Sequence, residues 1–119
     1  DAPIGRSARH LTRMTVTENG RRAITHYRVE RRFETPVTCS LVQCRLETGR
    51  THQIRVHLRA INHPVVGDRD YDGGRPGLEP GRPFLHAAQL SFRHPVSHEA
   101  MSFEAALPDD LSSVLGQLS

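Results

Sequence analysis

The spacing of apolar residues changes along this chain, and each change marks an element. Residues 24–33 are rich in β-branched and aromatic side chains. Residues 39–47 alternate, with Val42, Cys44 and Leu46 on one side and Gln43, Arg45 and Glu47 on the other. Two strands are expected there, joined through Glu34-Thr35-Pro36 as a hairpin. Past Thr48-Gly49-Arg50 the period lengthens. Ile54, Leu58 and Ile61 recur at i, i+4 and i+7, which predicts a helix capped by Thr51, running to about Ile61, with that stripe buried. Asn62-His63-Pro64 ends it, because a residue ahead of proline avoids the α region. A short element over residues 84–92 is closed by His94-Pro95. In a last strand Met101, Phe103 and Ala105 alternate with Ser102 and Glu104. Pro108-Asp109-Asp110 then opens a short helix carrying Leu111, Val114, Leu115 and Leu118. Strands interleaved with two short helices predict an α+β fold with a mixed, mostly antiparallel sheet.

Two stretches lack a period. Residues 1–19 read as an irregular or extended arm punctuated by Pro3 and Gly5, with Asn19-Gly20 as a turn. Residues 65–82, rich in Gly, Pro, Asp and Arg, read as a polar surface loop. The chain therefore divides into a basic extended arm, 1–23, and a sheet-and-helix part, 24–119. With 119 residues, 36% hydrophobic, 5% aromatic and no Trp, it suits one domain, or part of one, with a thin core. It has no apolar run long enough for a membrane helix and no charged-then-apolar leader. Asp1-Ala2-Pro3-Ile4-Gly5 has no initiator Met and reads like the interior of a longer protein. Cys39 and Cys44 stand an odd number of positions apart on one strand, hence on opposite faces, so reduced cytoplasmic thiols are expected rather than a disulfide.

Charge adds a polarity to this picture. The net charge is +3, but residues 1–32 hold eight Arg against three acids, and residues 33–119 eight Arg against ten acids. A basic N-terminal third points to a polyanion partner, or to a solvated arm. All 16 basic residues are Arg, which excludes lysine Schiff-base chemistry and a Walker-type phosphate loop. Arginine is the better residue for bidentate contacts to phosphate.

Several patterns compete as candidate chemistry. Asp68-Arg69-Asp70-Tyr71-Asp72-Gly73 with Glu79 matches the EF-hand spacing. Prolines on both sides and within the loop replace the flanking helices, so calcium is not expected. His52 and His57 are five apart, whereas helical metal pairs sit four apart, and two cysteines alone make no zinc site; no metal is expected. There is no G-x-S-x-G elbow. What remains is the run Gly49-Arg50-Thr51-His52-Gln53-Ile54-Arg55-Val56-His57, where a strand gives way to a helix start carrying arginines. Helix starts favour anions. An ordinary capped helix with surface arginines is the competing reading.

That run, extended back to Leu46-Glu47-Thr48 and on to Leu58, resembles the third conserved motif of RluA/RluD-type RNA pseudouridine synthases. His63-Pro64-Val65-Val66-Gly67-Asp68-Arg69-Asp70-Tyr71 continues in register. Arg82-Pro83-Phe84-Leu85-His86-Ala87, followed by Leu90-Ser91-Phe92-Arg93-His94-Pro95, resembles a later family segment, and Ala2-Pro3-Ile4-Gly5-Arg6 and Thr25-His26-Tyr27-Arg28-Val29 fit the lead-in. The resemblance implies the C-terminal part of a pseudouridine synthase catalytic domain. It implies isomerisation of uridine to pseudouridine in RNA, ribosomal RNA foremost, without cofactor or metal. Arg55 matches the arginine that pairs with the catalytic aspartate. Leu85 matches an apolar residue near the uracil, and Arg50, His52 and Gln53 support the pocket. Arg6, Arg9, Arg13, Arg21 and Arg22 are candidates for RNA-backbone contact. The family's aspartate motif, of the form His-Arg-Leu-Asp, does not occur here. Arg55 is therefore expected without its carboxylate, and the chain alone is expected to be inactive. The alternative is a non-catalytic RNA-binding module. An exposed sheet edge is expected to favour a homodimer or partial disorder.

Overall fold

The computed structural model describes all residues except Leu11, His94 and His98. The element order is β1 (Ile4–Arg6), β2 (Met14–Val16), β3 (Thr25–Phe33), β4 (Cys39–Leu46), α1 (Gln53–Ala60), a 3-10 turn (Arg69–Tyr71), β5 (Gln89–Arg93), β6 (Ala100–Glu104) and α2 (Asp109–Gly116). The α+β expectation holds. The antiparallel pairing is divided among three two-stranded sheets, β1–β2, β3–β4 and β5–β6. The closing role given to His94-Pro95 falls partly on His94, outside the described residues.

The hairpin β3–β4 pairs Thr25 with Leu46, Tyr27 with Cys44 and Val29 with Val42; a bulge between Val29 and Arg31 then shifts the register. Both cysteines are free, and burial pushes both thiols up. The chain end docks onto the hairpin connection. Glu34 and Thr35 N–H donate to the Ser119 carbonyl, and Ser119 N–H donates to Thr35 O. On α2 the expected apolar face is realised, with Leu111 and Val114 buried.

Four expectations need correction. The N-terminal arm is not merely extended: β1 and β2 form a hairpin, and Ile4 and Ala23 join Val56 and Tyr71 in a buried cluster with Met14 packed against it. Strands of three residues hold too few positions for a period to show. Thr51 does not cap α1. His52 occupies the N-cap in the left-handed conformation (φ 54°, ψ 27°) with no side-chain cap. The buried face of α1 is Gln53, Val56 and His57, while Ile61 is 45% exposed. Hydrogen bonds from Gln53 and His57 to β3 and the N-terminal segment set that face, and they override the apolar stripe. Finally, residues 65–82 are not a surface loop, since Val65, Asp68, Tyr71 and Leu78 are all buried. The helix end also has a local cause beyond Pro64. Asn62 takes φ 64°, with Asn62 N–H bonded to Arg59 O and His63 N–H to Leu58 O, a Schellman motif.

Candidate active site

The run 48–57 builds a platform before it builds a site. Gln53, 3% exposed, is bonded on every side. Its Oε1 accepts from Thr48 Oγ1 (2.7 Å) and from Arg50 N–H (3.0 Å), and its Nε2 donates to Ile24 O (2.9 Å) and Thr25 Oγ1 (3.0 Å). Thr25 Oγ1 lies 2.7 Å from His57 Nδ1, and His57 Nε2 lies 2.8 Å from Ala2 O. A carbonyl can only accept, so Nε2 carries the proton and Thr25 donates to Nδ1. One polar network thus staples the N-terminal segment, β3, the end of β4 and α1 together. Its members are satisfied, the condition under which burying polar groups is tolerable.

On this platform α1 presents Arg55 to the 68–72 segment. Arg55 Nε donates to Asp68 Oδ2 (2.7 Å) and Nη2 donates to Asp68 Oδ1 (2.8 Å), a bidentate pair. Nη2 also reaches Asp70 Oδ2 at 3.3 Å. Asp68 is fully buried and the Arg55 side chain 17% exposed. The Asp68 hydrogen bonds, against a smaller opposing effect of burial, push the Arg55 guanidinium further up, so it is a permanent cation. The carbon at its centre lies 4.8 Å from the centroid of the Tyr71 ring, and that of Arg13 lies 5.5 Å away. Tyr71 Oη accepts from Met14 N–H (3.0 Å) and lies 2.7 Å from His52 Nδ1. Burial first, and then the Arg55 charge, push the His52 imidazole below its usual range. Asp72 completes the rim, held by Arg59 (3.0 Å) and Arg13 (3.6 Å). The Arg59 hydrogen bond leads in keeping the Asp72 carboxyl below the usual range.

The structure therefore brings His52 and Arg55 together around Tyr71, while Gln53 is buried among Thr48, Arg50, Ile24 and Thr25. Arg55 has a carboxylate partner within this chain, since Asp68, which lies outside any His-Arg-Leu-Asp motif, takes it bidentately. The EF-hand spacing also finds another use, as Asp68, Asp70 and Asp72 each face an arginine. Arg13 is partly buried and engaged with Tyr71 and Asp72. Arg6, Arg9, Arg21 and Arg22 are exposed. Arg50 is fixed by donating to Arg22 O at 2.8 Å, and with Arg21, Asn19 and Met14 it lines a cavity of about 400 Å³. Leu85 is half-buried beside Phe84, whose N–H donates to Val66 O and so ties this segment to the one carrying Asp68. Sequence reasoning missed Asp68 and Tyr71 as site components, and it named Arg13 without its place beside Tyr71 and Asp72. The available signal was an acid and an aromatic three apart, just after a helix bearing an inward arginine.

The family model for RNA pseudouridylate synthases matches residues 2–60. An uncharacterized RNA pseudouridine synthase of Chloroflexus aurantiacus is 52% identical over 99% of this chain and 36% of its own length. The ribosomal large subunit pseudouridine synthase D of Nitrosomonas europaea is 48% identical over 97% of this chain and 35% of its own length. The chain thus spans well under half the length of these curated relatives. A solved structure of human RNA pseudouridylate synthase domain containing 1 superposes with a TM-score of 0.71 at 32% identity, covering 99% of this chain and 51% of that one. The alignments to these relatives and to the solved structure extend over almost the whole chain, and the chain belongs to the RluA/RluD-type RNA pseudouridine synthase family.

Proposed function

We propose that this chain is the C-terminal portion of the catalytic domain of an enzyme that isomerises uridine to pseudouridine in RNA, ribosomal RNA foremost, in the cytoplasm and without cofactor or metal. The observation that carries the reading is Arg55, a partly buried guanidinium aimed by Asp68, whose Nη1 has no hydrogen-bond partner among the described residues. An aspartate arriving from another part of the protein would meet a pre-oriented cation. That cation would keep the carboxylate ionised in a partly dry pocket, as nucleophilic or acid–base work on an extruded uridine needs. Leu85 would wall the uracil, and Arg50, His52 and Gln53 would support the pocket. Arg6, Arg9, Arg21 and Arg22 would lie against the phosphates.

The test is tritium release from uridine-labelled RNA, run on this chain alone and on the longer protein that contains it. Release is expected from the longer protein and not from the chain. Turnover by the chain alone would refute the division of labour between Arg55 and an aspartate elsewhere. The exposed N-terminal arginines favour a second reading, a non-catalytic RNA-binding module. That reading predicts RNA retention by the longer protein, weakening steeply with salt, with no tritium release at all.

A further inference from the structure

We propose that Tyr71 is a positioning residue: its hydroxyl proton is given to Nδ1 of His52, fixing that imidazole as the Nε2–H tautomer, so that His52 offers a neutral N–H donor to an acceptor oxygen of the bound nucleotide beside Arg55.

The argument follows the protons. Tyr71 Oη accepts the Met14 N–H at 3.0 Å, and its other polar neighbour is His52 Nδ1 at 2.7 Å. If Nδ1–H donated to Oη, the phenol oxygen would accept twice. Its own proton would then have no acceptor among the described residues, in a side chain only 1% exposed. Leaving such a buried donor without a partner is unfavourable, because its lost hydration is not replaced. The opposite direction satisfies every group: Met14 donates to Tyr71, and Tyr71 donates to His52. Nδ1 is then the acceptor nitrogen and Nε2 carries the proton.

The charged groups around the ring support the neutral state. Arg55 faces it and opposes a second positive charge, as burial does, while Asp68 and Asp70 pull more weakly the other way. Arg13 lies over the same Tyr71 ring as Arg55. The imidazole is also held in place. It stands edge-on to Tyr71 (centroids 5.6 Å apart, planes at 81°), and its backbone is left-handed, a conformation uncommon outside glycine. Nε2 has no hydrogen-bond partner among the described residues. A neutral donor locked at this point, one turn ahead of Arg55, is suited to a ligand oxygen. No group among the described residues uses it.

The tautomer stands independently of the proposed function; only the role toward a nucleotide rests on that reading. The experiment therefore has two arms, both on the longer protein. In the first, [15N]histidine-labelled protein is examined at neutral pH by long-range 1H–15N correlation, with the His52 signals identified by their loss in His52→Gln. The expected pattern is an unprotonated Nδ1 and a protonated Nε2, shifting toward a mixture of tautomers in Tyr71→Phe. A protonated Nδ1, or a pattern indifferent to Tyr71→Phe, would overturn the proposal, and the unsubstituted protein decides the first point even if the variant folds poorly. In the second arm, Tyr71→Phe is expected to lower pseudouridine formation about tenfold in the His52 background. In the His52→Gln background it should have no further effect, because an amide has no tautomers to fix. An equal loss in both backgrounds would mean that Tyr71 acts through packing and would also overturn the proposal. Absence of pseudouridine formation altogether, with the expected histidine pattern intact, would reject the proposed function and leave the tautomer standing.

Discussion

Asp68 is the residue on which the orientation of Arg55 depends, and it has no access to water. A buried carboxylate is stable only while its partner is present, so the two ends of the pair are not equivalent. Arg55→Met would leave an unpaired charge in the interior, and a loss of about 3–5 kcal/mol is expected. Asp68→Asn keeps an acceptor for the guanidinium and leaves the now surplus cation at a partly exposed position, so its cost should be distinctly smaller. Urea unfolding of both variants checks the order, and equal costs would show that Asp68 is not held as a buried anion. Only half of this pair was legible in the sequence. Arg55 stood in a recognisable run on a helix, whereas Asp68 sat among Gly, Pro and other charges. A buried charge there is visible only once its partner's direction is known. Protonation adds a smaller effect with a definite sign. His52 is pushed below its ordinary pKa of 6.5, so its contribution to stability is whole above that value and is lost as pH falls through the lower folded-state value.

At the scale of elements, the segment between α1 and β5 does the most with the least regular structure. Its turn is closed by Gly73, whose N–H donates to Asp68 O (2.7 Å) and whose carbonyl accepts from Gly67 N–H (2.8 Å). A Cβ on Gly73 would overlap the Val65 carbonyl and press on the Asp68 backbone, whereas one on the adjacent Gly74 would meet only the Arg69 side chain, at 3.9 Å. Gly73→Ala is therefore expected to cost about 1–3 kcal/mol through overpacking. Gly74→Ala should stay within about 0.5 kcal/mol. Thermal melts of the two variants decide between a packed turn and the loose loop that composition suggests; equal melting points would favour the loose loop. Elements with several repeats of their period, β3, β4 and α2, could be read in advance. The β1–β2 hairpin, the left-handed start of α1 and the burial of this turn could not, because each is fixed by contacts across the fold. The α1 face shows the same limit. Ile54, Leu58 and Ile61 make a clean stripe, yet Gln53 and His57 are buried because their hydrogen-bond partners lie on β3 and the N-terminal segment.

At the scale of the whole molecule, the chain is more open than its length requires. Its radius of gyration is 15.8 Å, against about 13.5 Å for a compact domain of this size. The β3–β4 hairpin contributes to this openness. Thr25, Tyr27 and Val29 share a face with Leu46, Cys44 and Val42, and on it Tyr27 is 58%, Leu46 44% and Val29 38% exposed. Among the described residues each sheet has two strands, so both strands of this hairpin also keep an unpaired edge there. An apolar face and open edges in one hairpin favour pairing with a second copy. The isolated chain is accordingly expected to self-associate through β3–β4, with a mass by light scattering of twice its 13.4 kDa. Replacing Tyr27 by Lys and Val29 by Thr on the exposed face should return it to the monomer without loss of helix, since neither side chain belongs to the buried cluster. A monomer at high concentration whose β3 and β4 amides are nonetheless fully protected from hydrogen exchange would show that the hairpin is stable uncovered, and the association argument would fail.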